Sequence, residues 1–305
     1  MGPDAISPVM LKHLGPRAIQ FITNLFNNII NKSTIPHIWK VGRIIPLLKP
    51  NKPADQGQSF RPISLLCPAV KILESIILAP LQESISLADH QHGFRKGRST
   101  LTALQEITSH IRDKLNKKKP SHRTVMVAID LSRAFDTVDH EILANDIAEL
   151  PLIPVIKRFL VNYMRGRQTY VEFRGSKSKF RKMRQGVPQG GVLSPVLFNM
   201  YMAKIPTPPA DILLTTYADD STTCCSGPKI PPLCEKLNRY LDVVNTWFKE
   251  RNLMISAQKS SATLFSTWSN EASINLPIFN NKGPQGVGCH ARPDAQFQAP
   301  HPKTK

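Results

Sequence analysis

Acid is scarce in this 305-residue chain. Its 22 aspartates and glutamates face 40 lysines and arginines, a formal charge of +18. Such an imbalance repels itself and favours a polyanionic partner, nucleic acid ahead of an acidic membrane. Cysteine is scarce too. The five, at 67, 224, 225, 234 and 289, form no CxxC pair and have no CxxxH neighbour. That spacing excludes the common zinc frameworks and points to reduced, mostly buried thiols. No apolar run approaches the length of a membrane span. The start, Met1-Gly2-Pro3-Asp4-Ala5-Ile6-Ser7-Pro8, lacks the basic, apolar and cleavage regions of a secretory signal. The expectation is an intracellular protein of nucleus or cytoplasm with no membrane partner. No internal repeat is present.

What is there alternates helix and strand patterns. Residues 1–35 carry Leu11, Leu14, Ile19, Ile22, Phe26 and Ile29 at helical intervals. A β-like run follows from Trp39 to Leu48, then a basic, proline-containing loop. Val70, Leu73, Ile77, Leu81 and Ile85 make an apolar helix face with an expected kink near Pro80. Ser99 or Thr100 caps a helix whose predicted inner face is Leu104, Ile107, Ile111 and Leu115. His90 and His92 precede it and read as ordinary loop histidines. Leu237, Leu241, Val244 and Trp247 line a later helix, and Leu253 to Phe265 holds two short runs flanking a loop with Lys259.

Two places concentrate acid. Thr124 to Ile129 is a continuous apolar strand ending in Asp130, and a carboxylate there needs a partner. Ile212 to Thr216 leads into Tyr217-Ala218-Asp219-Asp220, with a second β-branched run behind it, so both acids sit at a hairpin tip. A turn lets neighbouring side chains converge, which a strand forbids. Carboxylates held that close repel, and divalent cations relieve the repulsion. Aspartate also favours turns for its own backbone hydrogen bonding, so the pair alone leaves both readings open.

Residues 157–184 hold ten of the basic residues, with Tyr163, Tyr170, Phe173 and Phe180 interleaved. The pattern suits a phosphate backbone with sugar or base stacking; a solvated hairpin is the alternative. Behind it, Gly186-Val187-Pro188-Gln189-Gly190-Gly191-Val192-Leu193-Ser194-Pro195 brings glycines that let backbone approach a ligand. Ser194 and Pro195 then read as N-cap and first turn of a helix.

Taken in order, these blocks resemble a reverse transcriptase of the non-LTR (LINE-type, Jockey-like) retrotransposons. They are Arg61-Pro62-Ile63-Ser64-Leu65-Leu66, Gly93-Phe94-Arg95-Lys96-Gly97-Arg98-Ser99-Thr100, Asp130-Leu131-Ser132-Arg133-Ala134-Phe135-Asp136, the glycine-rich loop and Tyr217-Ala218-Asp219-Asp220. The resemblance runs from about residue 2 to about residue 281. It implies an α+β right-hand polymerase, with fingers over 1–120 and a palm over 121–275 made of an antiparallel sheet and packed helices. It implies RNA-directed DNA synthesis on an RNA template and DNA primer, consuming deoxynucleoside triphosphates with two Mg²⁺ ions, for which Mn²⁺ can substitute. By motif match Asp130, Asp219 and Asp220 are the catalytic metal ligands. Phe135 is the steric gate against a 2′-hydroxyl, and Gln189 and Gly190 belong to the nucleotide pocket. Arg61 stands near the triphosphate, and Lys259 is a proton donor to pyrophosphate; for both, a plain surface cation is the alternative.

The family usually carries an endonuclease before this region and a primer grip and thumb after it. Here the sequence past Phe279 turns polar and unlike the family, so the thumb is expected to be missing and 276–305 to form an aberrant, disordered tail. One choice of codons for residues 286–299, shifted by a base, spells a stretch like the absent block, as an out-of-frame remnant would. Two other readings stand beside the first. One is an RNA-dependent RNA polymerase, which shares the acids but is disfavoured by Phe135. The other is a catalytically inactive, truncated remnant that only binds nucleic acid.

Overall fold

The computed structural model describes residues 2–117, 120–271, 274, 276–278 and 288–289. Ser7 caps α1 (Pro8–Lys12), its hydroxyl accepting from the Met10 amide, and α2 (Pro16–Lys32) starts after Gly15. The single N-terminal helix expected from periodicity is therefore two, because Pro16 cannot donate an N–H into a continuing helix. Trp39 falls in a 3₁₀ turn ahead of β1 (Val41–Leu48) and packs edge-on to Phe26 at 6.0 Å. β2 (Phe60–Leu65) pairs antiparallel with β1. α3 (Pro68–Ser84) continues through Pro80. Ser99 and Thr102 form a capping box at the start of α4 (Thr100–Leu115). On α4 Ile111 is buried as the periodicity predicts and Ile107 and Leu115 are half-buried, but Leu104 is exposed and Ala103 takes its place on the inner side.

After β3 (Arg123–Ile129) and the single turn α5 (Ala134–Thr137), Asp139 caps α6 (His140–Glu149), accepting from the Glu141 and Ile142 amides. The basic stretch folds as α7 (Pro154–Met164) and three short strands, β4 (Gln168–Phe173), β5 (Ser176–Lys177) and β6 (Arg181–Lys182). Its expected surface role is corrected at two positions. Tyr163 and Arg167 are buried, whereas Phe173 and Phe180 stand out with the lysines and arginines of 174–182. α8 (Ser194–Met202) begins behind Leu193 without a side-chain cap, since the Ser194 hydroxyl donates instead to the Pro188 carbonyl at 2.7 Å. β7 (Ile212–Tyr217), β8 (Asp220–Gly227), α9 (Ile230–Glu250), β9 (Ser261–Phe265) and β10 (Gly288–Cys289) complete the order.

These elements gather into two compact units. The first comprises Met1–Ala88, Arg133–Lys204 and Arg251–Leu253. Its sheet runs β2-β1-β4-β5, with β6 also on β4, and β1 lies parallel to β4. Leu73, Ile77 and Leu81 of α3, Phe159 and Leu160 of α7, and Leu197, Phe198 and Tyr201 of α8 are its core. Burying one Leu- or Phe-sized side chain contributes about 1.5–3 kcal/mol. Such packing, rather than helix propensity, holds an element as short as α8.

The second unit comprises Asp89–Ser132, Ile205–Glu250 and the chain from Met254 onward. Its sheet runs β10-β9-β3-β8-β7 and is antiparallel except at β10. Central β3 contributes fully buried Val125 and Val127. Helices α4 and α9 pack against it. In α9 Leu237, Leu241 and Val244 are buried as the periodicity predicts, but Phe248 rather than Trp247 completes the face. Cys67, Cys224, Cys225 and Cys234 are buried. The tail expected to be disordered over 276–305 is corrected at its start, where Leu276 and Ile278 are buried and the Pro277 carbonyl accepts from Asn238 Nδ2 at 2.8 Å; the rest lies outside the described residues, apart from Gly288 and Cys289 beside Ser261 and Ala262. Among the described residues no helix is long and apolar enough to cross a membrane.

Candidate active site

The second sheet carries its acids at one end. β3 and β8 are in register from Arg123↔Gly227 to Ile129↔Ser221, so one further step brings Asp130 opposite Asp220. The β7–β8 hairpin closes at Tyr217↔Asp220 over a two-residue turn, Ala218 and Asp219. Ala218 takes a left-handed φ of 56° to make it, a conformation that costs a non-glycine residue roughly 1–2 kcal/mol. That tight turn aims the two neighbouring acids at the end of β3. Desolvation raises the Asp220 carboxyl first, then the negative charges of Asp219 and Asp130, while Lys259 pulls it back. Asp220 is exposed, so its desolvation is partial. The Lys259 ammonium donates to Asp130 Oδ1 at 2.9 Å.

The segment carrying Lys259 is tied to β3 by backbone. Ser132 N–H donates to the Met254 carbonyl and Ser256 N–H to the Asp130 carbonyl, both at 2.8 Å. The Asp130 N–H donates to Ser260 Oγ at 3.2 Å. Sequence reasoning missed a brace on the other side of the hairpin. Gln91 makes a parallel bridge with Thr216, His92 N–H donates to the Thr216 carbonyl and Thr216 N–H to the His90 carbonyl. His92 is buried and pairs with Thr102 and Glu106, each at 2.8 Å, and Thr215 donates to the same Glu106 oxygen at 3.2 Å. Nothing in a loop histidine's spacing signals such a brace.

Carboxylates gathered at one end of a sheet make a hard, oxygen-rich donor set, the chemistry that suits a divalent cation. Among the described residues, no group of three or more His, Cys, Asp or Glu side chains is placed so that it could hold a metal ion. At Asp130 the positive charge present is that of Lys259.

The first unit holds the other expected residues. Phe135, on α5, stacks on Phe198 with ring centroids 4.4 Å apart and 15° between planes. The glycine-rich loop docks beneath it through Val187 N–H to the Phe135 carbonyl and Gly186 N–H to the Val138 carbonyl. At Gly186, with φ +88°, a Cβ would sit 2.8 Å from the Asp136 carbonyl oxygen. Gln189 Nε2 donates to Asp136 Oδ1 at 3.0 Å, and burial raises the Asp136 carboxyl against that bond. Asp136 is thus a partner of the glycine-rich loop that its motif position did not announce. Ser64 N–H donates to the Gln189 carbonyl at 2.7 Å, and a Cβ on Gly190 would meet the Ser64 carbonyl oxygen at 2.6 Å. The loop is therefore fastened to β2, the strand that presents Arg61 to solvent. The expected residues fall into two groups: Asp130, Asp219, Asp220 and Lys259 in one unit, and Phe135, Gln189, Gly190 and Arg61 in the other.

Comparison with known proteins bears on all of these blocks. The family model for reverse transcriptase (RNA-dependent DNA polymerase) matches residues 49–291. The chain is 34% identical over 296 residues to a "Probable RNA-directed DNA polymerase from transposon BS" of Drosophila melanogaster, covering 91% of this chain and 31% of that protein. It is 30% identical over 278 residues to the RNA-directed DNA polymerase from the mobile element jockey of the same species, covering 87% and 30%. The chain thus spans about a third of the length of these curated relatives. Among solved structures it resembles a telomerase from Candida tropicalis in complex with a fragment of telomeric RNA, with a TM-score of 0.54 at 14% identity, covering 80% of this chain and 45% of that one. The apo telomerase of that organism, truncated from its C-terminal domain, gives 0.52 at 15%, covering 82% and 56%. At such identities the likeness concerns the fold.

Proposed function

The chain belongs to the reverse transcriptase (RNA-dependent DNA polymerase) family, and from that premise we propose that it is the fingers (1–120) and palm (121–275) of a non-LTR retrotransposon's RNA-directed DNA polymerase. The reaction is attack of a primer 3′-hydroxyl on the α-phosphate of a deoxynucleoside triphosphate, with pyrophosphate leaving. The observation that supports this reading is the placement of Asp130, Asp219 and Asp220 at the same end of one sheet, near enough for the charges of the first two to act on the third. Asp130, Asp219 and Asp220 would hold Mg²⁺, two ions by the family's pattern, supplying the charge that activates the hydroxyl and steadies the leaving phosphate.

The chain's own groups do the rest by positioning. Phe135, fixed flat against Phe198, presents a rigid ring to the sugar and would collide with a 2′-hydroxyl. Gln189 and Gly190, on a loop fastened to both Asp136 and Ser64, line the nucleotide pocket. Arg61 offers charge to the triphosphate. Lys259 can release a proton toward pyrophosphate once it leaves Asp130. The exposed Phe173 and Phe180 and the cations of 174–182 suit a template–primer backbone. Work on an RNA template and DNA primer places the chain inside the cell, in nucleus or cytoplasm.

Primer extension on an RNA template with Mg²⁺ tests this, with deoxynucleotides and ribonucleotides supplied separately. The reading requires extension with deoxynucleotides and admission of ribonucleotides only after Phe135→Ala. Preference for ribonucleotides in the unaltered chain would favour an RNA polymerase. Tight, salt-sensitive RNA binding with no extension would favour a remnant that only binds.

A further inference from the structure

A buried carboxylate that plays no part in the chemistry above stands under the glycine-rich loop. Glu74 is on α3, in line with Val70, Leu73, Ile77 and Leu81, and is 1% exposed. An acid in that place is tolerated only with partners for its oxygens. It has two. Tyr163 Oη donates to Oε1 at 2.7 Å, and the Val192 amide donates to Oε2. Tyr163 is itself buried on α7, and the buried Arg167 guanidinium lies 4.9 Å over its ring while donating to the Tyr163 carbonyl at 3.4 Å. All of these residues lie in the first unit.

The loop is pinned at both flanks as a result. Before Gly190, the Gln189 carbonyl accepts from Ser64 N–H. After it, Val192 N–H reaches Glu74. Between them Gly191 has no room for a side chain, since a Cβ there would stand 2.8 Å from Ser194 Oγ and 3.0 Å from the Tyr163 hydroxyl. Gly191 N–H and Ser194 Oγ both donate to the Pro188 carbonyl, at 3.0 and 2.7 Å. The backbone between residues 188 and 194 is thus moulded on the Glu74–Tyr163 pair. A hydrogen bond to a buried carboxyl has no water to replace it, and losing it frees the segment it held.

We propose that Glu74 is a positioning residue for the nucleotide pocket, which through Val192 and Tyr163 sets the placement of Gln189 and Gly190 and so governs deoxynucleotide KM rather than turnover. This rests on reading Gln189 and Gly190 as pocket residues. Glutamine at 74 can keep the clamp: its carbonyl oxygen accepts from Val192, its amide donates to Tyr163 Oη, and the tyrosine hydrogen turns toward Ser194. Alanine cannot.

The test uses the full chain and two readouts, amide hydrogen exchange followed by peptide and primer extension with one deoxynucleotide varied. For Glu74→Ala, exchange over 185–193 should rise about tenfold while peptides over 123–130 and 212–227 stay as in the unaltered protein. KM for the nucleotide should rise about tenfold with kcat within about threefold, the split expected when pocket binding alone is loosened. Glu74→Gln should return both readouts to within about threefold. If Glu74→Ala does not fold, Tyr163→Phe takes its place, with the same local rise in exchange expected at smaller amplitude. Unchanged exchange over 185–193 in the folded variant overturns the proposal, as does a fall in kcat with KM unmoved. If the unaltered chain extends no primer, the functional reading fails, and exchange alone then decides the role of Glu74.

Discussion

Lys259 and Asp130 form an ion pair of 2.9 Å at the end of β3, with the lysine 63% exposed. A pair that open to solvent contributes at most about 1 kcal/mol to stability. If Asp130 is a metal ligand as proposed, the ammonium competes with the divalent cation for that carboxylate. Lys259→Met should lower the Mg²⁺ concentration at half-maximal thermal stabilisation by a few-fold, while changing Tm without Mg²⁺ by only about 1–2 °C. Titration of Tm with Mg²⁺ measures both. An unchanged midpoint would show that the two cations do not compete.

The acidic end should leave a pH signature. The Asp220 carboxyl is raised in the folded protein. Between its unfolded and folded values the folded state holds more proton, so stability falls as pH rises through that window and stays reduced above it. Asp220→Asn removes that loss. At neutral pH without divalent ions Tm should rise by about 1–2 °C, discounted for the exposure of the group. The gain should vanish at acid pH, where the carboxyl is protonated in both states. A variant less stable at neutral pH would contradict the repulsion.

Gly93 lies against the hairpin turn. A Cβ there would meet the Ala218 amide nitrogen and come within 3.1 Å of the Tyr217 carbonyl carbon. Both neighbours are backbone, and Ala218 is already in a left-handed conformation. Gly93→Ala should therefore cost about 1–3 kcal/mol in urea unfolding, and it should displace the turn that carries Asp219. A cost within about 0.5 kcal/mol would mean the turn yields freely.

The sequence showed some of this plainly and hid the rest for physical reasons. β3, β7 and β8 are short apolar or β-branched runs bounded by turns, a pattern local enough to read, and the acids at their ends stand out because charge is rare there. Cross-strand register is not local, so the facing of Asp130 and Asp220 had to come from the fold. The outward Leu104 and the exchange of Trp247 for Phe248 reflect faces set by packing partners that periodicity does not know. Tyr163 and Arg167 looked like surface members of a basic patch because composition cannot distinguish an arginine over a buried ring from one in water. Glu74 did carry a legible signal, an acid within the apolar stripe of α3 three residues before Ile77.

A second buried pair should show what loss of a partner costs in the first unit. Arg251 bonds Asp146, covers the Tyr201 ring at 4.3 Å, and shares Asp146 with Lys204 at 3.0 Å. Arg251→Ala leaves a buried carboxylate with only the outer lysine and should cost about 3–5 kcal/mol by urea melting. A cost under about 1 kcal/mol would mean water or Lys204 replaces the guanidinium.

The most direct test of the account is primer extension on RNA with Mg²⁺, comparing the unaltered chain with Asp219→Asn. If Asp130, Asp219 and Asp220 carry the chemistry, the unaltered chain extends the primer with deoxynucleotides and Asp219→Asn loses on the order of a hundredfold or more in rate with its fold intact. Extension by Asp219→Asn at the unaltered rate would contradict it.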